Sequence, residues 1–138
     1  MSLLISENDT FEIKVAYSEV EDGRLEFEET EGAKHETFTF KQPSWANTRG
    51  ILSACVIVDA ESGRAIIDPY KMMDLRFKVL IKDWSITENG QKVPATMENV
   101  DKLHPSLVQE VYNRLNALLS PESIEDGKPI DKKLDKTV

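Results

Sequence analysis

Between Phe11 and Tyr17 the chain reads Phe-Glu-Ile-Lys-Val-Ala-Tyr, apolar at alternate positions except that Ala16 falls on the polar side. A period of two places one row of side chains on each face, so this segment predicts a half-buried β-strand. Leu25-Glu26-Phe27-Glu28 and Phe38-Thr39-Phe40-Lys41 repeat the pattern over shorter lengths, and Asp22-Gly23 and Glu31-Gly32 punctuate the gaps. A small antiparallel hairpin or three-stranded meander follows for about residues 11–41. So small a sheet is marginal alone and needs a layer to pack on.

From Pro43 the period changes. Pro43 or Ser44 can open a helix, and Trp45, Ile51, Leu52, Cys55 and Val56 fall near helical spacing, although Gly50 weakens it and Val56-Ile57-Val58 also suits a strand. Asp59-Ala60-Glu61-Ser62-Gly63-Arg64 breaks the pattern. Asp68-Pro69 then predicts a helix start, with Asp as cap and Pro at the first helical position. Met73, Phe77, Leu80, Ile81 and Trp84 form its apolar stripe, with Lys71, Asp74, Lys78 and Lys82 mostly on other faces.

Asn89-Gly90 supplies backbone suited to positive φ, Pro94 blocks helix continuation, and Thr96 can cap the next helix. The stretch from Asp83 to Leu103 thus reads as folding one helix back towards another. Pro105 disfavours helical geometry at His104, and beyond it Leu107, Val108, Val111, Leu115, Leu118 and Leu119 share one face. Gln109, Glu110, Asn113, Arg114 and Asn116 look outward. After Ser120-Pro121 only Ile124, Ile130, Leu134 and Val138 are large and apolar, which predicts a flexible tail over 121–138. The expected fold is α+β: the small antiparallel β unit packed on a bundle of three to four helices spanning about 43–120, as one domain over 1–120.

Composition adds a boundary and an asymmetry. A chain of 138 residues, 40% hydrophobic, can bury one ordinary core. The net charge of −8 is concentrated: residues 1–31 carry ten acids against Lys14 and Arg24, whereas 32–120 are nearly balanced. Acid there opposes phosphate contacts, which argues against nucleic-acid binding and leaves a basic protein partner or DNA mimicry. Solvated strand faces explain the same charge more simply. The Met1–Glu7 segment has neither a basic leader nor a long apolar core, and no apolar run reaches membrane-spanning length, so a soluble cytoplasmic protein is expected.

Candidate chemistry is sparse. Cys55, the single cysteine, lies in an apolar run and reads as a small buried hydrophobe. His35 and His104 are far apart with no metal-ligand spacing, the six glycines are scattered singly, and Ser44, Ser53 and Ser106 lack a nucleophile-elbow context. No catalytic, cofactor or metal residue is assigned, and the protein is expected not to be an enzyme. Trp45 and Trp84 sit at element boundaries, where an indole either packs in the core or anchors a partner. With Leu107, Val111, Leu115 and Leu118 they are the candidate partner-binding residues.

The order of parts from Lys41 to Ser120 resembles the tail assembly chaperones of long-tailed bacteriophages and prophages. The resemblance rests on a helix of small and apolar residues, a basic amphipathic helix ending in Lys82-Asp83-Trp84-Ser85, and a loop with Gly90 and Val93-Pro94. Thr96-Met97-Glu98-Asn99-Val100 leading to Leu103 and a last helix to Leu119 complete it. It implies a non-enzymatic partner of the tape-measure protein in the host cytoplasm, absent from the mature virion. The tail-tube protein and further copies of the chain are secondary partners, with no nucleic acid and no membrane. A minor structural tail or connector protein, and an acidic DNA-mimic inhibitor, are the competing readings.

Overall fold

The computed structural model describes residues 2–119; the predicted tail over 121–138 lies outside them. Among the described residues the chain is α+β, with four α-helices and antiparallel sheets. It divides into two units, Met1–Leu103 and His104–Val138.

In the first unit the alternating segment forms β1 (Thr10–Glu19), followed by β2 (Leu25–Glu26) and β3 (Lys34–Lys41). β1 lies between the other two, so the arrangement is not a meander in chain order. The β1–β3 register sets Phe11 opposite Phe40 and Ile13 opposite Phe38, which puts both strands' large residues on one face. Asp22 and Gly23 turn the chain with φ of 74° and 71°.

Ser44 caps α1 (Trp45–Cys55) in a reciprocal box: its hydroxyl accepts from the Asn47 N–H, and its own N–H donates to Asn47 Oδ1. β4 (Val56–Val58) and β5 (Ala65–Ile67) follow, and then α2 (Pro69–Leu80), capped by Asp68 as its sequence predicts. α1 and α2 pack on one another.

The expected stripe through Ile81 and Trp84 belongs to two elements. The helix stops at Leu80, Ile81 turns extended (φ −66°, ψ 131°), and β6 (Ile81–Trp84) pairs antiparallel with β3, giving a sheet ordered β2-β1-β3-β6. In a regular strand residues three apart face opposite ways. Here Trp84 pairs with Phe38 and Ile81 with Phe40, and the register shift between Thr39 and Phe40 leaves one extra residue in β6. Ile81 and Trp84 are therefore both buried while Lys82 and Asp83 stay exposed.

Phe77 of α2 meets Phe38 and Phe40 edge to face, at 6.3 and 5.3 Å, and Phe38 meets Trp84 at 6.1 Å. Edge-to-face pairs add about 0.5–1.5 kcal/mol each beyond area burial. Half-buried Glu36 accepts from the Tyr17 hydroxyl (3.1 Å) and the Ser85 hydroxyl (2.6 Å), tying β1 and β3 to the end of β6. Desolvation first, and then the Glu36 charge, raise the Tyr17 phenol above its ordinary value.

Asn89-Gly90 does not simply join helices. It is the two-residue turn of a hairpin, β7 (Thr87–Glu88) with β8 (Gln91–Lys92), and both turn residues have positive φ, 54° and 78°. Thr96 caps α3 (Met97–Val100) through the Asn99 N–H. Lys78 binds Asp101 at 2.7 Å and Asp74 at 3.0 Å, which fixes the end of α3 to α2.

Among the described residues the second unit holds α4 (Pro105–Leu119), beginning at the break that Pro105 predicts. The Ser106 hydroxyl lies 2.8 Å from His104 Nδ1, and Arg114 pairs with Glu110 one turn away. Leu107, Val111 and Leu115 form its buried side.

Candidate partner-binding surface

Among the described residues, the β4–β5 ribbon holds a group of exposed apolar side chains in one register. Val56-Ile57-Val58 are β-branched and resist helical χ1 geometry, so α1 ends at Cys55 and Val56 is already extended. Asp59 then organises the turn: its carboxylate accepts from the Ser62 N–H (3.0 Å) and hydroxyl (2.7 Å), and its backbone N–H donates to the Arg64 carbonyl. Those hydrogen bonds from Ser62 hold the Asp59 carboxyl below its ordinary pKa. Gly63 supplies the left-handed residue at φ 71°. At the base of the ribbon the Asp68 N–H donates to the Cys55 carbonyl (2.8 Å).

Val56 faces Ile67, Ile57 faces Ile66, and Val58 faces Ala65. By alternation Val56, Val58, Ala65 and Ile67 share one face, and Ile57 and Ile66 the other. All six are exposed, Val58 at 71%, so both faces present hydrocarbon to water. Leu52, one turn before Val56 on α1, is exposed as well. Contiguous exposed apolar patches are candidates for interaction surfaces.

The residues singled out in the sequence separate. Trp45, the first residue of α1, is 73% exposed, and Leu118 on α4 is 56% exposed. Trp84 is 2% exposed within the core, its indole N–H donating to the Val93 carbonyl at 2.6 Å. Leu107, Val111 and Leu115 are buried and present no free surface. Val56-Ile57-Val58 is the strand that its β-branched residues suit as an alternative to helix, while its pairing with Ala65-Ile66-Ile67 across Asp-Ala-Glu-Ser-Gly-Arg was not expected from the sequence.

Cys55 is buried, and desolvation raises its thiol pKa. His35 Nε2 lies 2.8 Å from Glu29 on the surface. Among the described residues no group of His, Cys, Asp or Glu is placed to hold a metal, and no helix is long and apolar enough to cross a membrane. A depression of about 200 Å³ is lined by Ile5, Ser6, Glu7, Lys41, Gln42, Ser44 and Asn47, of which Ser44 and Asn47 bond to each other in the α1 cap. No family model, no curated protein and no solved structure matches the chain.

Proposed function

We propose that the protein is a non-enzymatic tail assembly chaperone of a long-tailed phage or prophage, which covers apolar helical stretches of the tape-measure protein until tail-tube subunits replace it. The observation that carries this reading is the β4–β5 ribbon, apolar on both faces and open to water. A two-stranded ribbon of three residues a side has little stability of its own, and the hydrocarbon it exposes gains by covering another chain's.

The magnitudes suit a reversible shield. Complete burial of a Val or Ile side chain contributes about 1.5–3 kcal/mol, and these are already partly buried, so the ribbon supplies roughly 5 kcal/mol. Association itself costs about 4–15 kcal/mol, which leaves one ribbon on one site weak. Many copies along a long partner hold collectively and leave one at a time. Trp45 and Leu118 are further exposed contact points.

Two measurements test the role together. Co-expression with the tape-measure protein is expected to move that protein into the soluble fraction in complex with this chain. Mass spectrometry of purified virions is expected to lack this chain, and its stoichiometric presence there would make it a structural tail component.

A further inference from the structure

β5 bonds to β4 along one edge, and among the described residues no strand lies along its other edge. The hydrogen-bond phase shows which residues address that open edge. The Asp59 N–H donates to the Arg64 carbonyl and the Asp68 N–H to the Cys55 carbonyl, both at 2.8 Å, so Arg64, Ile66 and Asp68 bond towards β4. Ala65 and Ile67 alternate with them and turn N–H and C=O outward. Edge strands are usually guarded against further pairing by a charge, a proline or a bulge, and Ala65-Ile66-Ile67 carries none of these. Gly63, in the left-handed region at φ 71°, bounds the edge on one side, and Pro69 at the start of α2 bounds it on the other.

We propose that this edge pairs antiparallel with the same edge of a second copy, about a two-fold axis at Ile66. Outward residues must oppose outward residues, so the axis falls at Ala65, Ile66 or Ile67. An axis at Ile67 sets Ala65 against Pro69, which has no N–H, and an axis at Ala65 sets Ile67 against Gly63 in the turn. The axis at Ile66 pairs Ala65 with Ile67 of the second copy, and the reverse, each pair exchanging both backbone hydrogen bonds.

Charge selects the same register. Arg64 comes opposite Asp68 of the second copy on either side of the Ile66 contact, in the non-hydrogen-bonded class of pair whose side chains stand closer. Among the described residues no carboxylate pairs with the Arg64 guanidinium. Asp68 accepts the Tyr70 and Lys71 N–H groups on Oδ1, which leaves Oδ2 for a partner. The outer edge of β4 has no such complement, since an axis at Ile57 sets Asp59 opposite the buried Cys55. The contact is closed, giving one sheet ordered β4-β5 and then the second copy's β5-β4. The turn of each ribbon lies beside the base of the other, so α1 and α2 of the two copies leave from opposite ends. Both faces of the joined sheet stay apolar; the pairing enlarges the surface proposed for the tape-measure protein and does not depend on that reading.

Sedimentation equilibrium of the whole chain at low salt, up to about 1 mM, is expected to show a monomer–dimer equilibrium. Arg64→Asp sets like charges opposite twice and should raise the dissociation constant about tenfold or more. Ala65→Pro removes a donor from the open edge of β5, and Val58→Pro removes one from the outer edge of β4. The first should raise the dissociation constant about tenfold, and the second should change it less than about threefold. Circular dichroism confirms folding of each variant. Ile66→Cys is expected to give a disulfide-linked dimer on mild oxidation, because the axis sets that residue against itself within disulfide reach, whereas Ile57→Cys, one strand further out, does not. A chain monomeric throughout, a dimer indifferent to Arg64→Asp or to Ala65→Pro, a dimer broken by Val58→Pro, or equal cross-linking of Ile57→Cys and Ile66→Cys would each overturn the pairing. Co-expression with the tape-measure protein tests the chaperone reading separately.

Discussion

Trp84 closes the core of the first unit, with Phe38 against its ring and the Val93 carbonyl on its N–H. Trp84→Phe removes that donor and some ring volume, and is expected to cost about 1–3 kcal/mol in urea unfolding; a loss below about 0.5 kcal/mol would place the core elsewhere. Two ion pairs contribute to the pH dependence. The Lys92 hydrogen bond is the main cause holding the Asp83 carboxyl below its ordinary range. Its stabilisation is full above the unfolded value of about 3.9 and is lost as pH falls through the folded one. Lys78 is raised, chiefly by Asp101 and then Asp74, so its contribution is full below about 10.4 and is lost as pH rises through the folded value. The carboxylates reach solvent, so each pair contributes only about 0.5 kcal/mol. Asp83→Asn should flatten the acid limb of a stability–pH curve and Lys78→Met the alkaline limb, and unchanged limbs would contradict the assignment. Asp68 and Thr96 were legible as caps because a cap is decided within four residues, whereas Ser44 was legible only as one of two residues, with Pro43, that could open α1. Trp84's burial in a strand was not, since its partner Phe38 is distant in sequence.

At the scale of elements, Asn89-Gly90 shows a local signal read correctly and placed wrongly. Positive φ at both residues follows from their identity, but the choice between a hairpin and a helix connection depends on the strands either side, here two residues each. Gly90→Ala is expected to destabilise by about 1 kcal/mol, read from the thermal midpoint, because φ of 78° is costly for any side chain with a Cβ. β6 was hidden for a related reason: the bulge gives a strand the three-residue apolar spacing that ordinarily signals a helix. The β4–β5 ribbon contradicts the usual burial of apolar runs. Ile57→Ser/Ile66→Ser removes only the covered part of two side chains that are 41% and 44% exposed, and should cost about 1–3 kcal/mol of folding stability; a larger loss would make the ribbon part of the fold instead of a surface.

At the scale of the whole chain, the acid-rich segment and the exposed apolar ribbon are separate stretches of the first unit. Residues 19–31 hold most of the acid of the first quarter and connect β1, β2 and β3 at one end of the sheet, whereas the exposed apolar residues of the ribbon join α1 to α2. A protein that exposes hydrocarbon to bind another chain needs a compensating charge to remain dispersed. Glu21→Gln/Glu26→Gln/Glu28→Gln is expected to lower the solubility of the free protein near neutral pH while leaving partner binding intact; loss of binding instead would make the acidic segment the contact surface. The α+β class followed from a change of period along the chain, but the exposure of the ribbon is a property of the assembled fold and could not be read locally. The most direct measurement compares the wild type with Ile57→Ser/Ile66→Ser in co-expression with the tape-measure protein. The account predicts that the folded variant leaves that protein insoluble where the wild type keeps it in solution, and equal rescue by both would contradict it.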